Sequence, residues 1–194
     1  KSAVPPYDTP QTVVFDRPIL QTEIDIGGNR PLHLFGVHLR APIAAMIRGG
    51  KEADRSWKSI SAWAEGYQLS VLKQTAQALE LRLAVEALFD ADEQAQILLA
   101  GDFNATGDTG TLRLLRADPD DTESPGLEPR RLYQLDAALP RDRRKTVLHR
   151  GRGQTLDHIL ASAALAGRTL DVRVFNHDLA DEVLDSDDDF AGSF

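Results

Sequence analysis

Polar and apolar positions alternate in some stretches of this chain and stripe in others. Residues 21–26 read Gln-Thr-Glu-Ile-Asp-Ile, the alternation of a half-exposed strand. Gly27-Gly28-Asn29 is a turn signal, and the more apolar run Leu32-His33-Leu34-Phe35-Gly36-Val37-His38-Leu39 returns from it, so the pair predicts a hairpin. Short strands are also predicted at 12–15 and 18–20, around Asp16-Arg17. Residues 67–89 contain no Pro or Gly and are rich in helix formers, which predicts a helix. Its apolar residues form two stripes at ~100° per residue: Leu72, Ala76, Leu79 and Leu83 on one side, Ala78, Leu81, Val85 and Leu88 on the other. One stripe is expected to face a sheet, and the other to need a further covering element, from this chain or a partner.

Residues 96–100 predict a buried strand, and 117–131 a Pro/Asp/Gly loop. Residues 146–149 predict a short strand with a turn at Gly151-Arg152-Gly153, followed by strands at 156–161 and 172–175. Residues 41–66 are mixed, punctuated by Pro42, Gly49-Gly50 and Gly66, with Trp57 and Trp63 between them. No internal repeat is visible. Strands separated by a few helices, two of them joined as a hairpin, indicate an α+β layered sandwich.

At 194 residues, with 42% hydrophobic and 27% charged residues, the chain has the size of one globular domain or of most of a larger one. The absence of cysteine excludes disulfides, thiolate zinc sites and thiol nucleophiles. The net charge of −8 opposes a protein that grips nucleic acid over its whole surface. Charge is unevenly distributed, however. Residues 130–152 hold eight bases against Asp136 and Asp142, whereas residues 178–189 hold seven acids and no base. Both segments read as solvated surface, or the basic one as a wall for an anionic substrate. Compartment stays open.

Gly101-Asp102-Phe103-Asn104 follows directly on the apolar run Ile97-Leu98-Leu99-Ala100. A strand end is a rigid mount with access to solvent. Alternation would send Asp102 and Asn104 to one side and Phe103 into the core. An Asp so placed holds a hard divalent cation or orients a water, and an Asn donates to a developing oxyanion. The same residues also suit an Asx turn. His38 ends the preceding apolar strand, where a structural histidine is the plainer reading; His33, five residues earlier, falls on the opposite face. Asp157, in Thr155-Leu156-Asp157-His158-Ile159-Leu160, sits among apolar neighbours and is costly to bury unless a histidine or cation partners it; otherwise it lies at an exposed edge. His158 points the other way and reads as structural.

In this order, GVHLR, GDFN and LDHILAS resemble the endonuclease/exonuclease/phosphatase superfamily, with its DNase I-like fold, over most of residues 11–176. The resemblance implies a four-layer α/β/β/α sandwich in a single partial domain spanning 1–194, lacking its N-terminal strands with the family's first metal-binding Asn and principal Glu. It implies hydrolysis of phosphate esters with Mg2+ or Mn2+ near Asp102 and Asn104. His38 would bind the phosphate, Asp102 would activate the attacking water, Asn104 would position water or phosphate, and Asp157 would orient a final histidine. The family's closing Ser-Asp-His meets Asp185-Ser186-Asp187-Asp188 here, so either Asp188 replaces that histidine or it follows Phe194; the second is preferred. Arg144, His149 and Arg152 are the candidate substrate contacts. Nucleic acid, nucleotides and phospholipid headgroups all stay open as substrates. The alternative is a non-catalytic domain that keeps the fold and binds an anion or partner.

Overall fold

The structure, a computed structural model, describes residues 14–53 and 56–181; the Pro-rich start and the acidic segment 185–188 lie outside the described residues. Its centre is a five-stranded sheet in the order β1-β2-β5-β9-β6, built from β1 (Leu20–Ile24), β2 (Leu32–His38), β5 (Gln96–Asp102), β9 (Asp157–Ser162) and β6 (Leu132–Gln134). The predicted hairpin is present: β1 and β2 pair antiparallel, with Leu20 opposite Gly36 and Ile24 opposite Leu32. Strands β2 and β5 are parallel, and α1 (Ile60–Ala91) crosses between them. A parallel pair requires such a long crossover. Two small hairpins stand outside the sheet: β3 (Lys51–Ala53) with β4 (Ser56–Trp57), and β7 (Val147–His149) with β8 (Arg152–Gln154). Residues 14–19 and 172–175 form no ladder, contrary to expectation. Val172 and Val174 alternate with more exposed neighbours as a strand would, but among the described residues no neighbouring strand pairs with the segment.

Of the four layers expected, the described residues build two, a sheet and the helices on one of its faces. Phe35, Val37 and Leu39 from β2 and its exit, Ile97 and Leu99 from β5, and Leu160 from β9 point to the helical side and are fully or nearly buried. Ala78, Leu81, Val85 and Phe89 of α1 meet them there, with Leu112 and Leu115 of α2 (Gly110–Arg116). Each large apolar side chain so enclosed contributes ~1.5–3 kcal/mol. The stripe that packs is therefore the one through Ala78, Leu81 and Val85. Leu72, Leu79 and Leu83 on the other remain exposed.

Helix α1 begins seven residues earlier than the composition indicates, because Gly66 does not interrupt it. A Cβ at Gly66 would overlap the Ala45 carbonyl oxygen, and the Ala45 amide donates to the Gly66 carbonyl at 2.9 Å. Glycine is there to let a loop backbone cross the helix, a tertiary requirement that propensity does not show. Ser59 caps the new start, its Oγ accepting from the Ala62 amide at 3.1 Å. At 32 residues the helix is ~48 Å long, about twice the ~23 Å of the seven-residue strands it covers.

A buried acid braces the sheet beside β9 on its helical face. Asp136 lies in the 3₁₀ turn after β6, and its Oδ2 stands 2.9 Å from His158 Nδ1. Gln134 Nε2 donates to the same oxygen at 2.8 Å and the Ile159 amide to Oδ1 at 3.2 Å. His158 Nε2 faces the Ala105 carbonyl at 2.8 Å, tying β9 to the loop that follows β5. Burial pushes the Asp136 carboxyl up, but the hydrogen bonds from His158 and Gln134, the His158 charge and the Ile159 amide outweigh it, so it titrates below its usual range. A folded-state pKa lowered in this way contributes stability that is complete above the ordinary carboxylate range and lost as pH falls through the folded value. Asp136→Asn is expected to cost about 3 kcal/mol at neutral pH, with the deficit shrinking as acid protonates the parent, as read from urea unfolding across that pH range. Gly101→Ala is expected to cost about 2 kcal/mol or more in the same measurement: Gly101 has φ +137°, and a Cβ there would overlap the Val37 carbonyl oxygen.

Candidate functional site

Three strand ends meet on the sheet face opposite the core helices. In the parallel ladder His38 stands opposite Asp102, and in the antiparallel ladder Asp102 stands opposite Asp157. Residues directly opposite in adjacent strands share a face, so this register alone aligns the three side chains in a row. His38 Nε2 lies 3.3 Å from Asp102 Oδ2, close enough for both to flank one bound group. The Leu39 amide donates to the Asp102 carbonyl at 2.9 Å and extends the β2–β5 pairing past His38.

Asn104 reaches the same side by a route other than strand alternation. Strand β5 ends at Asp102, and Asn104 takes the left-handed conformation with φ +49°. Asparagine tolerates that region better than most residues. Its backbone amide donates to Asp102 Oδ1 at 2.7 Å, and its Nδ2 donates to Asp102 Oδ2 at 3.1 Å and to the Leu39 carbonyl at 3.0 Å. The Asx turn and the paired carboxylate–amide arrangement, set out above as alternatives, are thus one structure. With Nδ2 engaged twice, the side-chain oxygen of Asn104 is the atom left for a ligand. Phe103 points into the core and is fully buried, as expected.

Burial raises the Asp102 carboxyl above its usual range, and the neighbouring Asp157 charge pushes the same way. The Asn104 amide and the charges of His38 and Arg17 pull it down without cancelling the rise. Asp157 itself is exposed, and its backbone amide donates to Thr146 Oγ1 at 3.1 Å. The expectation of a buried Asp157 paired with a histidine is thereby corrected. The buried Asp–His pair of this sheet is Asp136–His158, one residue along β9 and on the other face. His158 is structural, and His33 lies on the helical side near Glu23. The position matching the family's final histidine lies outside the described residues.

The proposed substrate contacts separate. Arg144 lines a cleft of about 260 Å³ together with Arg141, Gln134, Gln154, Thr106 and Thr155. Thr106 is two residues from Asn104 and Thr155 two from Asp157, but the cleft is also lined by Asp108 and by His158, whose side chain lies on the opposite face of β9 from Asp157. His149 and Arg152 face each other across the exposed β7–β8 hairpin and do not line this cleft. The hairpin's turn is held by Asp181, which accepts from the Arg150 and Gly151 amides at 2.9 and 2.5 Å. The basic run beginning at Arg130 is partly neutralised: Arg130 pairs with Glu86 and Asp90, and Arg131 with Asp118.

Gln74 and Gln77 went unnoticed in the sequence. Gln74 Nε2 donates to the carbonyls of Phe103 and Asn104 at 3.2 and 2.8 Å, and its Oε1 accepts from Thr111. Gln77 Oε1 accepts from the Arg40 amide at 2.8 Å. Both are buried and hold the exits of β5 and β2. Their signal was available: at ~100° per residue they lie in phase with Leu81 and Val85, where a core position should be apolar.

Among the described residues no three His, Asp or Glu side chains cluster as a metal cage. No helix among them is long and apolar enough to cross a membrane. A search of curated protein sequences finds no match. Among solved structures, a crystal structure titled beta toxin 275-280 from Staphylococcus aureus is similar at 12% identity and a TM-score of 0.38, over 75% of this chain and 43% of that one. The present chain thus aligns with less than half of that protein. The profile of the Endonuclease/Exonuclease/phosphatase family matches residues 4–187, nearly the whole sequence, with both GVHLR and GDFN inside the match. The chain belongs to the endonuclease/exonuclease/phosphatase family, and its sheet and helices are those of a DNase I-like fold.

Proposed function

We propose that the protein is a metal-dependent hydrolase of phosphate esters. Membership of the family supports a hydrolytic enzyme in general. The observation that carries the finer reading is the convergence of His38, Asp102, Asn104 and Asp157 from three strand ends on one face. Burial and the neighbouring Asp157 charge raise the cost of ionising Asp102, and the Asn104 amide with the nearby cations only partly offsets this. A bound cation would relieve it. The donor set fits Mg2+ or Mn2+, which keep several waters and take one or two carboxylates with substrate oxygens, better than it fits a closed protein cage. Asp102 and the side-chain oxygen of Asn104 would hold it. When bound, the ion would neutralise phosphoryl charge and lower the pKa of a water.

The chain's own groups account for the rest. His38 donates toward a phosphoryl oxygen from its position beside Asp102. Asp102 accepts a proton from the attacking water, a role to which its raised affinity for protons contributes. Asn104, fixed by three hydrogen bonds, orients the reacting group at no reorganisation cost. Arg144, with Arg141, offers positive charge to the remainder of an anionic substrate in the adjoining cleft.

A second reading is a non-catalytic domain that binds an anion or a partner, favoured by the lack of a three-acid cluster among the described residues. The two separate in assays of the full protein on soluble phosphomonoesters and diesters. Activity is expected with Mg2+ and not after chelation. His38→Ala is expected to lower kcat by about 10²–10³-fold, and Asp102→Ala at least as much. Turnover that survives chelation, or an Asp102→Ala enzyme as fast as the parent, would sink the hydrolase. Gln74→Ala is expected to lower stability by about 1–3 kcal/mol, read by thermal unfolding, because two buried carbonyls lose their donor.

A further inference from the structure

The N-terminal turns of α1 project past the end of the sheet, on the side where the site opens. The hydrogen bonds of Gln74 to residues 103 and 104, and of Gln77 to Arg40, fix which part of the helix stands level with the strand ends. Ile60, Trp63 and Tyr67 lie 7–14 residues before Gln74, hence ~10–20 Å beyond that level. At ~100° per residue they continue the stripe that is buried further along as Gln74, Ala78, Leu81 and Val85. They lie beyond the ends of the five-stranded sheet's strands, and all three are exposed, Ile60 at 83%.

The loop that crosses the helix at Gly66 adds Ile43, 71% exposed, and Met46, 72% exposed. Trp63 and Tyr67 stack on each other, ring centroids 5.4 Å apart. Arg48 and Lys58 are exposed beside them, and Lys51 lies over the Trp57 ring, with Glu52, Asp54 and Glu65 as the acids nearby in sequence. Residues 48–58 carry four bases and two acids in a chain of net charge −8.

Large aliphatic side chains open to solvent, a pair of interfacial aromatics and a basic fringe together match the chemistry of a membrane surface. Nucleic acid fits less well. Ile43, Met46 and Ile60 offer no face on which a base could stack, and Trp63 and Tyr67 already cover one ring face of each other. Each base near an anionic bilayer adds ~1 kcal/mol, and burial of the five apolar side chains adds more, so insertion rather than charge would dominate the attachment.

We propose that the first turns of α1, with residues 43–53 and 56–59 ahead of them, dock the protein on an anionic lipid surface. This rests on the phosphoester reading above and narrows it: the surface would hold the site over lipid headgroups, making a headgroup phosphate ester the substrate class.

The test uses the full protein with vesicles of phosphatidylcholine, with and without phosphatidylserine, in sedimentation and tryptophan-fluorescence measurements, alongside hydrolysis of a soluble phosphodiester. The parent is expected to sediment with the mixed vesicles and to show a blue shift. Ile60→Ser combined with Met46→Ser is expected to reduce binding at least about tenfold. Lys58→Glu should reduce it severalfold, with the difference vanishing at high salt. Neither variant should change turnover of the soluble ester. A parent that stays in solution, or variants that bind as it does, overturns the docking surface. So does retention on single-stranded DNA that Trp63→Ala abolishes while vesicles are ignored. Vesicle binding without hydrolysis of any ester supports the surface and removes the catalytic reading instead.

Discussion

The site depends on the closeness of β2 and β5 at their ends. Gly101 sits so near the Val37 carbonyl that no side chain fits between them, and its φ of +137° belongs to a backbone that only glycine adopts without strain. That contact brings the strand ends together where His38 and Asp102 emerge. Because side chains alternate with a period of two, a slip of one residue between β2 and β5 would send His38 to the helical face while Asp102 stayed outside. The buried Phe35 and Val37 oppose that slip, since both would leave the core and their contact with Ile97 and Leu99. Core packing thus sets the register, and the register sets the chemistry.

Helix α1 serves the two ends of its buried face differently. From Ala78 to Phe89 it is apolar and packs against the sheet; around Ser70, Gln74 and Gln77 it is polar and bonds to the loops leaving the strands. A buried amide without partners costs several kcal/mol, whereas one fully bonded roughly breaks even and fixes geometry in return. The loops carrying Arg40 and Asn104 have backbone groups that no strand satisfies. Glutamines on a stiff helix meet that need with little freedom of position. The site is consequently built on the helix as well as on the strand ends.

Much of this was legible in the sequence. The β1–β2 hairpin and the strand before Gly101 followed from turn residues and aliphatic runs, which are local signals, whereas Asn104 joins Asp102 through a left-handed turn rather than the strand alternation expected. Alternation set His38 and His33 on opposite faces, without saying which of them faces outward. What escaped were features decided by distant partners. Gly66 reads as a helix boundary until the loop at Ala45 is seen lying across it. Asp157 reads as a buried acid because its neighbours are apolar, yet β9 starts with that residue and its side chain faces outward, while the burial belongs to Asp136 from another segment. Helix α2 and the β3–β4 hairpin carry no strong periodicity of their own, and their places are fixed by contact with α1.

Asp102 and Asp136 show how one face of the sheet's end is suited to chemistry and the other to support. Burial raises the proton affinity of both. At Asp136 the His158 ring, the Gln134 amide and the Ile159 amide more than offset it, and the charged carboxylate is the stable form. At Asp102 the Asn104 amide, His38 and Arg17 fall short, and Asp157 adds repulsion. Had selection acted on stability alone, an amide or a better partner at position 102 would have served. A carboxylate left under-compensated on an accessible strand end, beside a histidine and a second acid, costs stability that a bound cation would return.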